Sequence, residues 1–533
     1  MKKIKMLFGV LVIVAPIIIS VSSCKKFLDR KPLTSTLDDL NQGALESQVL
    51  GMYNILRTYA GFSVLPWIDF HSIRDDDAQK GSDINDGKEI VTEFDTYQYS
   101  KDDWAPNTYW NDHYAMINLA NNALQLADSL KVTDAASLRN IGEACFFRAY
   151  AYAELVKTYG EVPLINFKIV KPTDGIKDKS PITTLYAFID SNLQVAAQLL
   201  PLSDDGYGNG NDGRVTKGAA NTLWAETYLF RKDWAKTIAL CNQVKASNQY
   251  SLLPNFSDNW REWKNSVPGA GKNSSESIFE MQADVKGGAQ GGSGALDNGS
   301  DYGTSQQIRR NGAAIEWNLG WGWNVPTQSL ADAFDPADPR KQQTILFSGQ
   351  SDGGTALGGH GATIPAYTNP DGSGGLAQRY WNKKLYTGND PAMRLFTGYI
   401  NGSGSARWIN HRIFRYAEVL LMLAEAANES GDGATAAANL ELIRNRASGN
   451  LGATRTIVPP IPFVNQAQMR TAIKNERHFE LAMEGKRFYD LVRWGDAVSV
   501  LGPLGYTNRA RYYPIPQKAI DLTGGVLKQN PEW

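Results

Sequence analysis

Arg415-Tyr416-Ala417-Glu418-Val419-Leu420-Leu421-Met422-Leu423-Ala424-Glu425-Ala426 opens the stretch that decides the fold. Asn475-Glu476-Arg477-His478-Phe479-Glu480-Leu481-Ala482-Met483-Glu484-Gly485-Lys486-Arg487-Phe488-Tyr489-Asp490-Leu491-Val492-Arg493-Trp494-Gly495 closes it. Phe414, Ala417, Leu421 and Ala424 recur at i, i+3, i+7 and i+10, which places one apolar face along a helix. Gly431 and Gly433 are expected to end that helix. A second stripe follows at Ala436, Leu440, Ile443 and Ala447. So short a connection makes the two helices antiparallel. An αα-hairpin results, followed by two more helices rich in Glu and Arg.

The same pattern extends upstream. Leu45, Val49, Met52 and Leu56 share a face of a first helix expected over 40–59. Long helical patterns run over 104–130 and 133–159, and another over 183–200 stops before Pro201. Trp224, Ala225, Tyr228 and Leu229 face a partner that begins at Asp233-Trp234-Ala235 and carries Ala239 and Val244. Small residues opposite large aromatics in a short helix pair resemble a tetratricopeptide unit. The expected fold is mostly α, with tetratricopeptide-like helix pairs in an α-superhelix and long irregular binding loops. Those loops are the polar stretch 61–93 and the Gly, Ser, Asn and Asp-rich stretches 287–312 and 349–375. Such long irregular segments in a compact protein carry function or move. Cys145 and Cys241 sit among helical apolar residues and read as small core residues.

A formal net charge of -1 and a pI near 6.6 give no reason to expect a nucleic-acid partner. Three cysteines imply no disulfide framework. Lys2, Lys3 and Lys5 precede an apolar run over 6–20, which is short for a membrane span and fits a secretory signal over 1–23. Val21-Ser22-Ser23-Cys24 resembles a lipobox, so Cys24 is the expected lipidation site and outer-membrane anchor.

Several of these blocks carry a family likeness. Arg415–Ala426, Asn439-Leu440-Glu441-Leu442-Ile443-Arg444-Asn445-Arg446-Ala447 and Glu476–Gly495 resemble the C-terminal signature of the SusD/RagB family. Phe27-Leu28-Asp29 with Pro32, Glu143-Ala144-Cys145-Phe146-Phe147-Arg148-Ala149-Tyr150, and Tyr159-Gly160-Glu161-Val162-Pro163-Leu164 resemble its N-terminal half. Pro326-Thr327, Leu330, Phe334 and Asp338-Pro339-Arg340 are also family-like. The resemblance covers nearly all of 24–533, divided into a helical block 24–230, a loop-rich middle 231–413 and a C-terminal helical block 414–533. It implies a lipoprotein of the outer membrane, facing the exterior, that binds oligosaccharide and hands it to a SusC-like TonB-dependent transporter. Capture of peptides by the same fold is the alternative within the family.

The residues themselves suggest one rival chemistry. Glu476, Glu480 and Glu484 stand at i, i+4 and i+8, a spacing that could bring two carboxyls within the roughly 5–10 Å a glycosidase needs. Arg477, Arg487 and Arg493 nearby would keep them ionised, whereas a general acid needs a raised pKa. They therefore read as structural ion pairs, and no catalytic residue is assigned. The five histidines lack metal-ligand spacing, and Asp75-Asp76-Asp77 lacks an EF-hand pattern and reads as a solvated loop or a ligand contact. No metal site or cofactor is expected, and no nucleotide-binding motif occurs.

Aromatics remain. A sugar ring offers an apolar face to Trp or Tyr and hydroxyls to polar groups at its edge. Trp317, Trp321 and Trp323 lie in a Gly-rich loop, and Trp67 and Trp104 flank the acidic one. Trp67, Trp104, Trp321 and Trp323 are the expected platforms, with Arg74, Asp76 and Asn324 as edge partners. Trp110, Trp224, Trp234 and Trp494 fall in helical patterns and read as structural.

Overall fold

The computed structural model describes residues 44–57, 62, 64–87, 92–208, 212–261, 263–264, 267–268, 271–283, 299–310, 315–388 and 408–533. The expectations for the signal segment and Cys24 lie outside these residues, as does part of the Gly-rich stretch 287–312.

Ten helices build the frame: α1 (Ala44–Arg57), α2 (Trp104–Leu130), α3 (Ala135–Tyr159), α4 (Ile182–Leu199), α5 (Lys217–Phe230), α6 (Trp234–Ala246), α7 (Tyr416–Glu429), α8 (Gly433–Ala447), α9 (Gln466–Leu481) and α10 (Arg487–Trp494). Local chemistry fixes their starts. The side chains of Asp134, Thr216, Asp233, Asp432 and Asn465 each accept a hydrogen bond from a backbone N–H in the first turn of α3, α5, α6, α8 and α9. Gly431, at φ +87°, makes the turn after α7. Gly433 does not end that helix as expected; it opens α8, where a Cβ would meet the Phe463 ring at 2.3 Å.

Each helix packs on the next, from α1 on α2 through to α5 on α6. The stack then crosses the chain: α6 lies against α7, which also contacts α8 and α9. This is the expected mostly helical, tetratricopeptide-like superhelix, and the long loop-rich stretch is inserted between α6 and α7. The stripe Leu45, Val49, Met52 and Leu56 is buried on α1, and Cys145 and Cys241 are buried as small core residues. Phe146 against Phe279 and Tyr150 against Phe414 join the N-terminal helices to the C-terminal half.

Two buried polar networks tie the same halves. Glu154 on α3 pairs with His71 and Lys157 at 2.8 Å each, while Lys486 pairs with Glu418 of α7 at 2.9 Å and Glu226 of α5 at 3.4 Å. The second network holds the expected glutamates. Glu480 accepts from Arg340 and Arg415 at 3.2 and 2.6 Å and pairs closely with Arg446. Glu476 pairs with Arg340 at 2.5 Å and Arg444 at 2.6 Å, and Glu484 with Arg415 at 2.7 Å and Lys384 at 2.6 Å. The partners differ from those expected: Arg477 and Arg493 go to Asp490, and Arg487 to Asp76. Glu484 also sits past the end of α9, in a turn made by Met483 (φ +64°) and Gly485 (φ +70°).

Short strands organise the inserted region and the loop between α1 and α2: β1 (Ala78–Gly81) in that loop, then β2 (Ser277–Met281), β3 (Trp323–Pro326), β4 (Ile345–Phe347), β5 (Tyr380–Asn382) and β6 (His411–Arg415). They pair antiparallel as β1 with β3, β2 with β6 and β4 with β5. The β2–β6 pair delivers Glu276 and Arg415 to the glutamate network, where they meet at 2.9 Å. Within 61–93 the described residues form regular elements where a loop was expected. These are a short helix at Leu65–Ile68, a π-helical turn at Asp69–Ile73 and β1.

Candidate functional site

The β1–β3 ribbon joins the two loops that the sequence singles out. Ala78 pairs with Pro326, Gln79 with Val325 and Gly81 with Trp323. Thr327 extends the ladder, donating through N–H to Asp77 O (2.9 Å) and through Oγ1 to Asp76 O (2.7 Å). At the other end Gly81 (φ +80°) and Gly322 (φ +77°) let the chains close. A Cβ on Gly81 would lie 2.4 Å from the Gly322 carbonyl oxygen, a contact no side chain tolerates.

That closure sets two tryptophans together at the ribbon end. The Trp321 and Trp323 rings lie 5.3 Å apart, inclined at 59°. Trp323 is mostly buried beneath Gly87, and its indole N–H donates to Asp86 Oδ2 at 3.2 Å; Trp321 is half-buried. Polar groups surround the pair. Ser82 Oγ donates to Asp86 Oδ2 at 2.8 Å, and Arg309 donates to Ser82 Oγ at 3.2 Å. Arg309 also pairs closely with Asp86 and lies 3.6 Å from Asp83. Gln378 donates to Ser82 O at 2.6 Å, and the Lys80 ammonium to Asp83 O at 2.8 Å. The rim balances Asp83 and Asp86 against Lys80 and Arg309. Trp323, Ser82, Lys80 and Asp83 are buried and serve as backing, so the face offered to a ligand is half-buried Trp321 with partly exposed Asp86 and Arg309 beside it, which suits stacking of a neutral polyhydroxylated ligand.

Burial corrects Trp323 as a direct contact, and three other expected contacts with it. Trp67 is 6% exposed, stacked on His71 at 4.7 Å and edge-on to His411 at 4.3 Å, with Gly485 closing over it. Arg74 is 1% exposed, its guanidinium 3.6 Å over Phe488 and 4.4 Å over Tyr513. Asn324 is also 1% exposed, donating to Gln306 Oε1 at 2.7 Å. These three are tied into the scaffold and are not exposed on the loops. Asp76 is partly exposed but spanned by Arg487 through hydrogen bonds of 2.8 and 2.9 Å. Asp75 and Asp77 are buried, so the acidic run is not a solvated loop. Asp76, Asp77 and His478 stand close enough to share an ion, yet a cation there would have to displace Arg487. Trp104 is 41% exposed at the start of α2, where the preceding turn is tied to the C-terminal segment by Gln517 N–H donating to Lys101 O. The sequence reading missed Ser82, Asp83, Asp86, Arg309 and Gln378. Asp83 and Asp86 lay within a loop already marked as polar; Arg309 and Gln378 carry no pattern of their own.

Two glutamates of the network, Glu480 and Glu484, are held ionised. Burial alone would raise Glu480, but the charges of Arg446, Arg415 and Arg340 outweigh it and bring it to about 2. Glu484 is likewise lowered against burial, by Arg415 and Lys384. A general acid must hold its proton near neutral pH, and neither group does.

A helical-repeat frame with a shallow platform on inserted loops defines a binding-protein class. The chain belongs to the SusD/RagB family. The model of the SusD family matches residues 275–510, and one described as "Starch-binding associating with outer membrane" matches residues 26–229. A SusD-like protein of Formosa agariphila is 27% identical over 453 residues, 82% of this chain and 83% of the relative. Among solved structures, a laminarin-binding SusD-like protein superposes with TM-score 0.72 at 25% identity, covering 92% of this chain and all of that one (100%). Surface glycan-binding protein A from Bacteroides thetaiotaomicron, in complex with laminarihexaose, gives TM-score 0.70 at 23% identity over 92% of this chain and 99% of its own, a likeness of fold. Among the described residues, no helix is long and apolar enough to cross a membrane.

Proposed function

We propose that this chain is a cell-surface lipoprotein that binds oligosaccharide or polysaccharide without cleaving it and passes it to a SusC-like TonB-dependent transporter. The observation that carries the reading is half-buried Trp321, backed by Trp323, beside partly exposed Asp86 and Arg309. The family match and the laminarin-binding relative support glycan as the ligand class. The absence of cleavage is supported by Glu480, held ionised by three arginines. Anchoring through a lipidated Cys24 follows from Val21-Ser22-Ser23-Cys24 and accords with the family's association with the outer membrane. Trp104, exposed at the start of α2, is a further candidate contact for a long glycan. At the Trp321 face the charges are balanced, which does not favour the basic pocket that peptide capture there would call for.

The test is a glycan array probed with the protein, followed by prolonged incubation with the best ligand. Binding with unchanged chain length is expected. Failure to bind any glycan, or shortening of the ligand, would contradict the reading.

A further inference from the structure

A second cavity lies on the inserted region and shares no lining residue with the tryptophan platform. Its volume is about 460 Å³, within the range of small-ligand sites. Trp260, Tyr386 and Trp408 supply aromatic wall. Two polar atoms on the wall, Ser257 Oγ and Gln343 Oε1, are buried without a hydrogen-bond partner among the described residues. A buried hydroxyl and amide oxygen left unpaired cost free energy that a polar ligand or water would recover.

The basic side chains on the wall are Arg261, His360 and Lys383, and none of the lining residues is acidic; burial lowers His360, which leaves Arg261 and Lys383 to carry the charge. Of the nearby carboxylates, Asp352 is committed to backbone amides and Asp258 makes a single contact with Arg261. Asp352 accepts backbone N–H bonds from Gly354 (3.0 Å), His360 (2.7 Å) and Gly361 (3.1 Å). Asp258 meets Arg261 through one contact of 3.4 Å, far from the two-pronged geometry a guanidinium can offer. Lys383 donates to the carbonyls of Gln342 (2.7 Å) and Asp352 (2.6 Å), which fixes its ammonium in place. Burial, aided by Arg261 and opposed by Asp352, pulls Lys383 down to about 8. A negative group in the cavity would relieve that repulsion.

We propose that this cavity is a second saccharide site that takes a sugar bearing a carboxylate, with the aromatic wall covering the ring and Arg261 holding the acid group. Unpaired Ser257 and Gln343 would meet sugar hydroxyls. The proposal does not depend on the platform, since neither its residues nor its charge are shared.

Digalacturonate and its neutral counterpart, a galactose disaccharide, are the probes. Calorimetric titration of the full chain in mild detergent gives each affinity, and circular dichroism confirms that variants are folded. Digalacturonate should bind at least tenfold more tightly than the neutral disaccharide. Arg261→Gln, at a partly exposed position, should weaken it tenfold or more, and His360→Gln, at an exposed one, should weaken it less. Trp321→Ala should leave it unchanged. No binding of digalacturonate, equal binding of the neutral sugar, or unchanged binding by Arg261→Gln would overturn the proposal. Loss through Trp321→Ala alone would do the same, by assigning the acidic sugar to the platform.

Discussion

Replacing Glu480 by Gln removes the charge at the centre of the buried network while keeping its shape. Glu480 is fully buried and faces Arg340, Arg415 and Arg446. Its carboxyl is lowered from 4.5 to about 2, so ionised Glu480 favours the folded state. At about 1.4 kcal/mol for each pH unit, the shift is worth about 3 kcal/mol. The same order follows from breaking a buried ion pair, about 3–5 kcal/mol. A carboxylate with a lowered folded pKa contributes this in full above 4.5 and loses it as the pH falls toward 2; about 1.5 kcal/mol remains at pH 3. Urea unfolding of parent and Glu480→Gln, followed by circular dichroism at pH 7 and pH 3, reads the difference. The variant should be less stable by about 3 kcal/mol at pH 7 and by about half that at pH 3. Equal stabilities at pH 7, or a difference that does not shrink with acid, would refute the reasoning. Glycan turnover that disappears in the variant would refute the binding-only reading as well.

Cys24→Ala should release the mature protein from the membrane fraction, checked by fractionation and by mass spectrometry for lipid on Cys24. Purification in mild detergent should recover a large β-barrel protein with this one; repeated recovery alone, with the barrel expressed, would count against the transporter partnership. Arg309→Gln removes a half-exposed rim donor, so glycan affinity should fall several-fold. Its thermal unfolding should move little, because partly exposed ion pairs contribute roughly 0–1 kcal/mol.

The helices were legible because their signals are local. The stripe Leu45, Val49, Met52 and Leu56, the capping residues Asp134 and Asp233, and the turn at Gly431 act within a few residues of themselves. The ribbon was only half legible. Both loops could be marked as rich in aromatic and polar residues, but their pairing joins Gly81 to Trp323 across more than two hundred residues, and no period announces that. The same distance hid the fates of single side chains. Arg74 looks like a surface cation until Phe488 and Tyr513 close on it from the C-terminal segment. Asn324 and Trp323 are neighbours in sequence, yet with Asn324 in the left-handed region at φ +54° one donates to Gln306 and the other to Asp86. The need of the glutamates for arginine was readable, but their partners arrive from Asp338-Pro339-Arg340, β6 and α8 rather than from the adjoining helix.

The central claim is that glycan is captured on the Trp321–Trp323 platform. Calorimetric titration of the parent and Trp321→Ala with a laminarin-type oligosaccharide, or with the best neutral ligand from the array, addresses it most directly. Loss of an anchoring aromatic is worth about 2 kcal/mol, so the variant should bind at least tenfold more weakly while unfolding at the parent's temperature. A folded Trp321→Ala protein that binds the glycan with the parent's affinity would contradict the account.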